Sequence, residues 1–196
     1  MAKLDLQRIL KFQELLHTFA HVIRAARIRG RENHENDAEH SFNVAMLAWY
    51  AIDTLDLPLD RGLALRYALA HDLVEVYAGD TYFMDDENLK TKPEREKQAR
   101  LRIAAEFPEF PDLHKAIEGY EKLEDPESRF VKALDKVDPV LTNFAEGGRL
   151  WKEMDMPYEG LTQRKREKVA NVEVVKQLLE DIIAEIEPRK GDYFPR

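Results

Sequence analysis

The sequence predicts an all-α fold made of one domain. Three observations support this prediction. Apolar residues recur at three- and four-residue spacing along most of the chain, capping residues and prolines bound these segments, and no alternation of apolar and polar residues lasts longer than a few positions. The 196 residues suit a bundle of about six to eight helices, which we place at residues 1–187, followed by an irregular tail at 188–196.

The first half of the chain predicts three helices. An apolar stripe from Leu6 to Ile23 predicts the first, over about residues 4–28. Asn36 and the Glu three residues later form a capping-box pattern, which predicts a second helix ending near Leu55. Pro58 and Asp60 then open a third helix, which we expect to end before Gly79.

The second half predicts four more helical segments. Residues 80–91 are predicted as a loop, and Lys92-Pro93 as the start of a helix that ends at Pro108 and Pro111. We expect a short helix near 112–120 and a longer one over 126–146. The last helix is predicted to span about 162–187, before Pro188.

Composition narrows the class of function. The net charge of −8 argues against a nucleic acid polymer as partner, whereas a small anionic substrate needs only a local positive cluster. No apolar run approaches the roughly 20 residues that cross a bilayer, so we expect no membrane span. The chain has no cysteine, which excludes thiolate catalysis and cysteine zinc sites. Cytoplasmic location is the default expectation.

The sharpest local signal is His71-Asp72 inside an otherwise apolar segment, residues 68–74. A buried Asp is costly unless it is paired or bound to a cation. Glu75 follows His71 by four residues, so both lie on one helical face. The alternative is a polar helix face in which a backbone carbonyl satisfies His71.

Two further residues interrupt apolar patterns. His40 falls in the first turn of the second predicted helix, and Asp135 interrupts the apolar stripe of residues 131–137. Each has an ordinary explanation alone, a surface histidine near a helix cap and a salt-bridged aspartate. Together with His71 and Asp72, however, they offer two imidazoles and two carboxylates, a ligand set suited to a divalent metal with positions left open for water and substrate.

The order of these blocks resembles the HD-domain phosphohydrolases. The flanking stretches Glu-Asn-Asp-Ala-Glu-His-Ser at 35–41, His-Asp-Leu-Val-Glu-Val-Tyr-Ala-Gly-Asp at 71–80, Lys-Pro-Glu-Arg-Glu-Lys-Gln-Ala at 92–99 and Lys-Ala-Leu-Asp-Lys at 132–136 are similar to the 5′-deoxynucleotidase branch. The resemblance covers roughly residues 10–185 and implies a single HD-domain helical bundle.

The resemblance also assigns roles. It implies that His40, His71, Asp72 and Asp135 hold one divalent metal ion, and it leaves the choice among Mn, Co, Fe, Ni, Zn and Mg open. By the same resemblance, Glu75 matches the acid beside the attacking water, and Asp80 matches an acid near the sugar.

The expected function is therefore metal-dependent hydrolysis of a deoxynucleoside 5′-monophosphate to deoxynucleoside and phosphate. Two alternatives remain open: another phosphate ester as substrate, such as a cyclic nucleotide, a nucleoside triphosphate or a non-nucleotide phosphate, and a non-catalytic nucleotide-sensing module. The chain has Ala25-Ala26 and Ile28 where the branch often carries an aromatic residue beside its phosphate-binding arginine, which leaves base and sugar selectivity open.

Four arginines between residues 24 and 31 offer positive charge for the phosphate. Arg24 and Arg27 are the preferred pair, because they lie one turn apart in the predicted first helix and a guanidinium matches phosphate oxygens. Lys92 and Arg95 are weaker candidates. The alternative is a solvated basic helix end.

The remaining expectations concern packing and assembly. His17 and His21 are interpreted as helix surface or a dimer contact, and Phe42, Trp49 and Tyr67 as core residues. The long apolar first and last helices favour a homodimer.

Overall fold

The computed structural model describes residues 3–82 and 85–195. Within these residues lie ten α-helices: α1 Leu6–Phe19, α2 Asp37–Thr54, α3 Arg61–Ala70, α4 Glu75–Ala78, α5 Asp86–Glu106, α6 Pro111–Lys122, α7 Pro126–Ala145, α8 Arg149–Glu153, α9 Tyr158–Val169 and α10 Glu173–Ile186. Two short strands, β1 Ile23–Arg27 and β2 His34–Asn36, pair antiparallel. The prediction of a helical fold is confirmed, and α4 and α8 are single short turns of four and five residues.

The centre of the fold is formed by α2, α3 and α7, each of which packs against the other two. Val44 and Ala48 of α2, Ala64 and Ala68 of α3 and Val131 of α7 are fully buried between them. The outer helices α9 and α10 pack on α7 and on each other. Polar side chains that project from the central helices are therefore removed from solvent.

Local sequence signals set the boundaries of α2 and α3. The Asn36 side chain accepts a hydrogen bond from the Glu39 N–H, and the Glu39 side chain accepts one from the Asn36 N–H, which confirms the predicted capping box. The Asp60 side chain caps α3 in the same way, through Leu63 N–H. The chain leaves helical conformation after α4 at Gly79, where φ is +73°, a value that glycine adopts without strain.

The first predicted helix is too long. It ends at Phe19, and the following residues form a β-hairpin whose strands pair Ile23 with Asn36 and Arg27 with His34. Over a segment as short as residues 20–23, the apolar spacing is compatible with both a helix and a strand. Pairing with β2 makes it a strand from Ile23. The predicted helix between Asp60 and Gly79 is interrupted after Ala70 by a turn that holds His71 and Asp72.

Three other boundaries differ. Helix α5 begins at Asp86, capped by Asp85, and carries Pro93 in its interior, so much of the predicted loop at 80–91 is helical; Phe83 and Met84 lie outside the described residues. The predicted last helix is two helices with a turn at 170–172. The predicted tail contains a 3₁₀ helix, Glu187–Asp192, followed by two buried aromatic residues, Tyr193 and Phe194. None of the described helices is long and apolar enough to span a membrane.

Candidate metal centre and substrate cavity

His40 lies between two carboxylates at the centre of the fold. From the first turn of α2, its Nε2 atom lies 3.3 Å from Asp135 Oδ1, and its Nδ1 atom lies 3.1 Å from Asp138 Oδ2, both on α7. Burial acts to lower the pKa of His40, but the two hydrogen bonds outweigh it and raise the pKa to about 10. A carboxylate that holds the second nitrogen of a histidine is a common support for metal ligation.

His71 presents a nitrogen that has no hydrogen-bond partner among the described residues. Its Nδ1 atom donates to the Ala68 carbonyl at 2.8 Å, which leaves Nε2 as the nitrogen that can bind a cation. That Nε2 atom is buried and lies 3.1 Å from Asp72 Oδ2. The alternative interpretation, in which a backbone carbonyl satisfies His71, thus accounts for Nδ1. It does not account for Nε2, which faces the Asp72 carboxylate.

Three of the four predicted metal ligands, His40, His71 and Asp72, have ligand atoms within 4.8 Å of one another, and the fourth, Asp135, contacts His40. Asp72 Oδ2 lies 3.9 Å from His40 Nε2, and the two imidazole rings are 5.3 Å apart between centroids. Bonds of about 2.0–2.3 Å to one ion place neighbouring ligand atoms roughly 3–4 Å from one another. The observed separations and the orphaned nitrogen of His71 therefore fit a divalent cation.

Charged neighbours keep both aspartates ionised. Burial acts to raise the pKa of Asp72, but His71 and Arg24 hold it well below its usual range. Burial opposes ionisation of Asp135 as well, and Lys136, whose Nζ atom lies 2.8 Å from Asp135 Oδ2, is the largest of the opposing influences. Anionic oxygens are the form that binds a cation.

Glu75 is buried beside this cluster, in the first position of α4. Its Oε1 atom accepts a hydrogen bond from Lys92 Nζ at 2.8 Å, whereas its buried Oε2 atom has no hydrogen bond to any described residue. Burial is the main cause that raises the pKa of Glu75 to about 9, and the charge of Asp72 adds to it. Glu75 is thus a carboxyl group with unusual proton affinity close to the candidate metal ligands.

Arg24 and Arg27 do not lie one turn apart on a helix, because both belong to strand β1, whose register shifts between Ile23 and Arg27. Their contacts show that the two side chains reach different partners. Arg24 reaches the centre and donates from one nitrogen to Asp37 and Asp72 at 2.9 and 2.7 Å. Arg27 bonds instead to Glu153 and to the Glu32 carbonyl. The helical argument that grouped them is wrong.

A cavity of about 420 Å³ opens beside the cluster, a size typical of small-molecule sites. Arg24, His71, Asp72, Glu75 and Asp135 all line it. Asp80 and Lys92 are also in the wall, and Arg95 fixes the adjoining segment by donating to the Ala78 carbonyl and to Thr81 Oγ1.

Comparison with known proteins agrees with this arrangement. Residues 18–177 match the sequence family described as the HD domain. The chain belongs to the HD-domain family of metal-dependent phosphohydrolases. It is 31% identical to the 5′-deoxynucleotidase HDDC2 of Mus musculus over 138 residues, which are 68% of this chain and 67% of that protein. The corresponding Homo sapiens protein is 30% identical over 138 residues, 68% of this chain and 65% of that one.

A solved structure extends the similarity to nearly the whole chain. The predicted metal-dependent phosphohydrolase from Magnetospirillum magnetotacticum MS-1 superposes with a TM-score of 0.81 at 28% identity, covering 97% of this chain and 98% of the other. The HD domain of this chain therefore has the fold of a metal-dependent hydrolase, and its histidine and aspartate cluster suits a divalent cation whose identity is open.

Several residues of the centre escaped the sequence interpretation. Asp37 and Asp138 had a usable signal, because each lies three residues from a predicted ligand on the same helical face. Lys132, Lys136 and Lys165 line the cavity as well. Lys136 adjoins Asp135 in sequence, whereas Lys165 lies in a charged stretch of α9 that resembles any solvated helix.

Lys165 is almost fully buried, which is uncommon for this residue type. Its Nζ atom donates to the Lys136 carbonyl at 2.7 Å, and burial lowers its pKa to about 7, with the nearby charge of Lys136 adding to the shift. It connects α9 to the part of α7 that carries Asp135.

Proposed function

We propose that this HD-domain protein hydrolyses deoxynucleoside 5′-monophosphates to deoxynucleoside and phosphate, with His40, His71, Asp72 and Asp135 as ligands of one divalent cation. The buried Nε2 atom of His71, which makes no hydrogen bond within the described chain, carries the ligand assignment. The choice of substrate rests on the relatives named 5′-deoxynucleotidase. Their alignments span about two-thirds of their own length, so the substrate is part of the proposal.

A divalent cation at these ligands supplies acidity to a water molecule and neutralises phosphate charge. The mixed nitrogen and oxygen donors suit Mn, Fe, Co, Ni or Zn, and Mg is also compatible with carboxylate ligands. The two carboxylates balance the charge of such an ion.

Glu75 is the proposed proton carrier. As a carboxylate, Glu75 can accept a proton from the attacking water and pass it to the departing 5′-oxygen, and burial, which raises its pKa to about 9, favours the protonated form between these two transfers. Lys92, bonded to one carboxyl oxygen, holds the side chain in place while the other oxygen remains available. Because Glu75 carries the proton from the water to the 5′-oxygen, the reaction releases neither free hydroxide nor a free alkoxide.

Positive side chains in the cavity wall would offset the charge of the phosphate dianion. Arg24, Lys92, Lys132 and Lys136 all line the cavity near the proposed ligands. Arg24 is the preferred phosphate contact, because its fork of N–H donors matches phosphate geometry. Asp80, which follows Gly79 in the wall, is proposed to contact the sugar.

The substitution Glu75→Gln tests the proton role. The amide has the shape of the carboxyl group but cannot carry the proton, so kcat should fall about 10²–10⁴-fold while metal content stays at the wild-type level. Phosphate release and metal analysis measure the two properties. Glu118→Gln, at a half-buried position of α6 that does not line the cavity, is the matched control. Wild-type turnover by Glu75→Gln would show that Glu75 is not the proton carrier.

A panel of phosphate esters tests the substrate assignment. Deoxynucleoside monophosphates, ribonucleotides, a cyclic nucleotide, a nucleoside triphosphate and a sugar phosphate are compared with Mn, Co, Mg or EDTA. We expect the deoxynucleoside monophosphates to be the best substrates and EDTA to abolish release. Stronger hydrolysis of another class would replace the proposed substrate.

A homodimer is also proposed, and the outer face of α2 is the candidate interface. Phe42, Met46, Trp49 and Tyr50 are exposed there at helical spacing. Tyr67 is buried as predicted, but the prediction that Phe42 and Trp49 lie in the core is wrong. Light scattering should report a dimer that Trp49→Glu converts to a monomer, and an unchanged mass for that variant would exclude this interface.

Cytoplasmic location stays a prediction.

A further inference from the structure

The cavity extends well beyond the candidate metal centre. Residues of α7 at positions 132, 135, 136, 139, 140 and 143 line it, a spacing that marks one continuous face of a helix. At 1.5 Å per residue, the distance along α7 from Asp135 to Asn143 is about 12 Å. A phosphate bound near Asp135 therefore occupies only one end.

The far end of the cavity is apolar. Its wall is formed where α8 and α9 pack on the second half of α7. The apolar side chains there are Val140, Leu150, Trp151, Met156 and Leu161. All but Leu150 are buried in the protein. A ligand group with apolar faces would gain stability there by leaving water.

An aromatic stack fixes the shape of this apolar end. The Trp151 ring stacks on Phe194, with centroids 4.7 Å apart and planes within 9° of parallel. Tyr193 stacks on Phe144 in the same way. The backbone of Tyr193 lies so close to Gly148 that a Cβ atom on this glycine would come within 2.0 Å of the Tyr193 carbonyl oxygen. The segment after α10 thus supports the wall from behind.

Two polar side chains accompany the apolar wall, and one of them, Asn143, is hydrogen-bonded to the Pro139 carbonyl and the Leu150 N–H. Lys165 lines the same part of the cavity and anchors to the Lys136 carbonyl. The Nζ–H groups of a lysine donate hydrogen bonds in both its charged and its neutral form. The polar atoms it favours on a ligand are therefore acceptors, such as ring carbonyl oxygens or unprotonated ring nitrogens.

We propose that the apolar end, lined by Val140, Leu150, Trp151, Met156 and Leu161, is a nucleobase subsite. It holds a flat heterocycle whose acceptor atoms face Lys165 while the phosphate lies beside Asp135. This proposal rests on the proposed function, because the nucleotide substrate comes from there. It adds that the base, and not only the sugar and phosphate, contributes to binding.

A pair of substrates isolates the base. Thymidine 5′-monophosphate and 2-deoxyribose 5-phosphate share the phosphate and the sugar carbons, but only the first has a base. We expect kcat/KM of the wild-type protein to be at least about tenfold higher for the nucleotide. Equal values for the two substrates would overturn the subsite.

Filling the subsite should remove this advantage. Leu150→Trp adds volume at the half-buried position of the wall, so the ratio of kcat/KM for the nucleotide to kcat/KM for 2-deoxyribose 5-phosphate should fall from about tenfold towards one. Leu101→Trp, an exposed position on α5, is the control and should preserve the advantage. An equal loss for both substrates in Leu150→Trp would contradict the proposal.

Fluorescence tests the subsite without catalysis. The chain has two tryptophans, so Trp49→Phe leaves Trp151 as the only one. Thymidine, which has no phosphate, should change its emission saturably, and 2-deoxyribose 5-phosphate should change it far less. If neither phosphate ester is hydrolysed, the proposed function fails, and saturable thymidine binding still supports the subsite. No response to thymidine overturns it.

Discussion

The two ends of the cavity are stabilised by different forces. At the metal end, His40 is held between two aspartates and Arg24 bridges Asp37 and Asp72, so each polar atom has a defined direction. At the apolar end, Trp151 and its neighbours are held by packing, which is less directional. Substitutions near the proposed ligands should therefore act through the loss of single polar atoms. Substitutions at the apolar end should act through the side-chain volume that they add or remove.

The largest effect is expected at His71. His71→Ala removes one proposed ligand from the cluster that it forms with His40 and Asp72, so metal content should fall from about one ion per chain to below about a tenth, with loss of activity. Metal analysis of the purified protein measures this. His17→Ala, on the exposed surface of α1, is the control. Full metal content in His71→Ala would remove this residue from the ligand set.

Arg24 and Arg27 allow a sharper comparison within one strand. Arg24→Met removes a charged donor from the cavity and should lower kcat/KM about 10–100-fold, the equivalent of one charge-assisted hydrogen bond. Arg27→Met should change it less than about threefold, because Arg27 pairs with Glu153 away from the cavity. Steady-state kinetics on a nucleotide measure both. Equal losses would mean that the strand geometry does not separate their roles.

The smallest expected effect concerns Lys165, which lies between the two ends. Its pKa falls from 10.5 in the unfolded chain to about 7 in the folded protein. Between these two pH values the unfolded chain binds more protons, so the free energy of unfolding rises with pH. Buried Lys165 therefore destabilises the folded protein most at low pH. Lys165→Met should therefore stabilise the protein more at pH 6 than at pH 9, with a limiting slope of about 1.4 kcal/mol per pH unit. Urea unfolding at several pH values measures the difference. If the difference in the free energy of unfolding between Lys165→Met and the wild type did not change with pH, the pKa of Lys165 would not be lowered.

The helices that were predicted accurately carry local signals at their ends. The capping box at Asn36 and the glycine at 79 fix boundaries through backbone groups a few residues away, and such signals are visible in sequence. The hairpin after α1 and the turn between α9 and α10 depend on distant partners. Val169, Val172 and Val175 continue an apolar spacing across that turn, so periodicity alone does not reveal it.

The same distinction applies to the candidate site. Asp72 and Asp135 interrupt apolar segments, and an acid in such a place needs a compensating partner, which made them recognisable. Arg24 was selected together with Arg27 from a cluster of arginines by a helical argument, whereas Lys165 lies in a charged stretch where one more cation carries no signal. Their position in the cavity depends on how β1 and α9 are packed. The wall formed by Trp151 and Phe194 joins residues from separate elements and cannot be inferred from either one.

The contact between His40 and Asp135 joins residues that are 95 positions apart in the chain. A short stretch of polypeptide cannot assemble the proposed coordination sphere, since its donors meet only after α2, α3 and α7 have docked. Uptake of an ion would therefore report completion of tertiary structure during refolding. Chelators should accelerate unfolding of the loaded protein for the corresponding reason, by removing a cross-link between remote parts of the backbone.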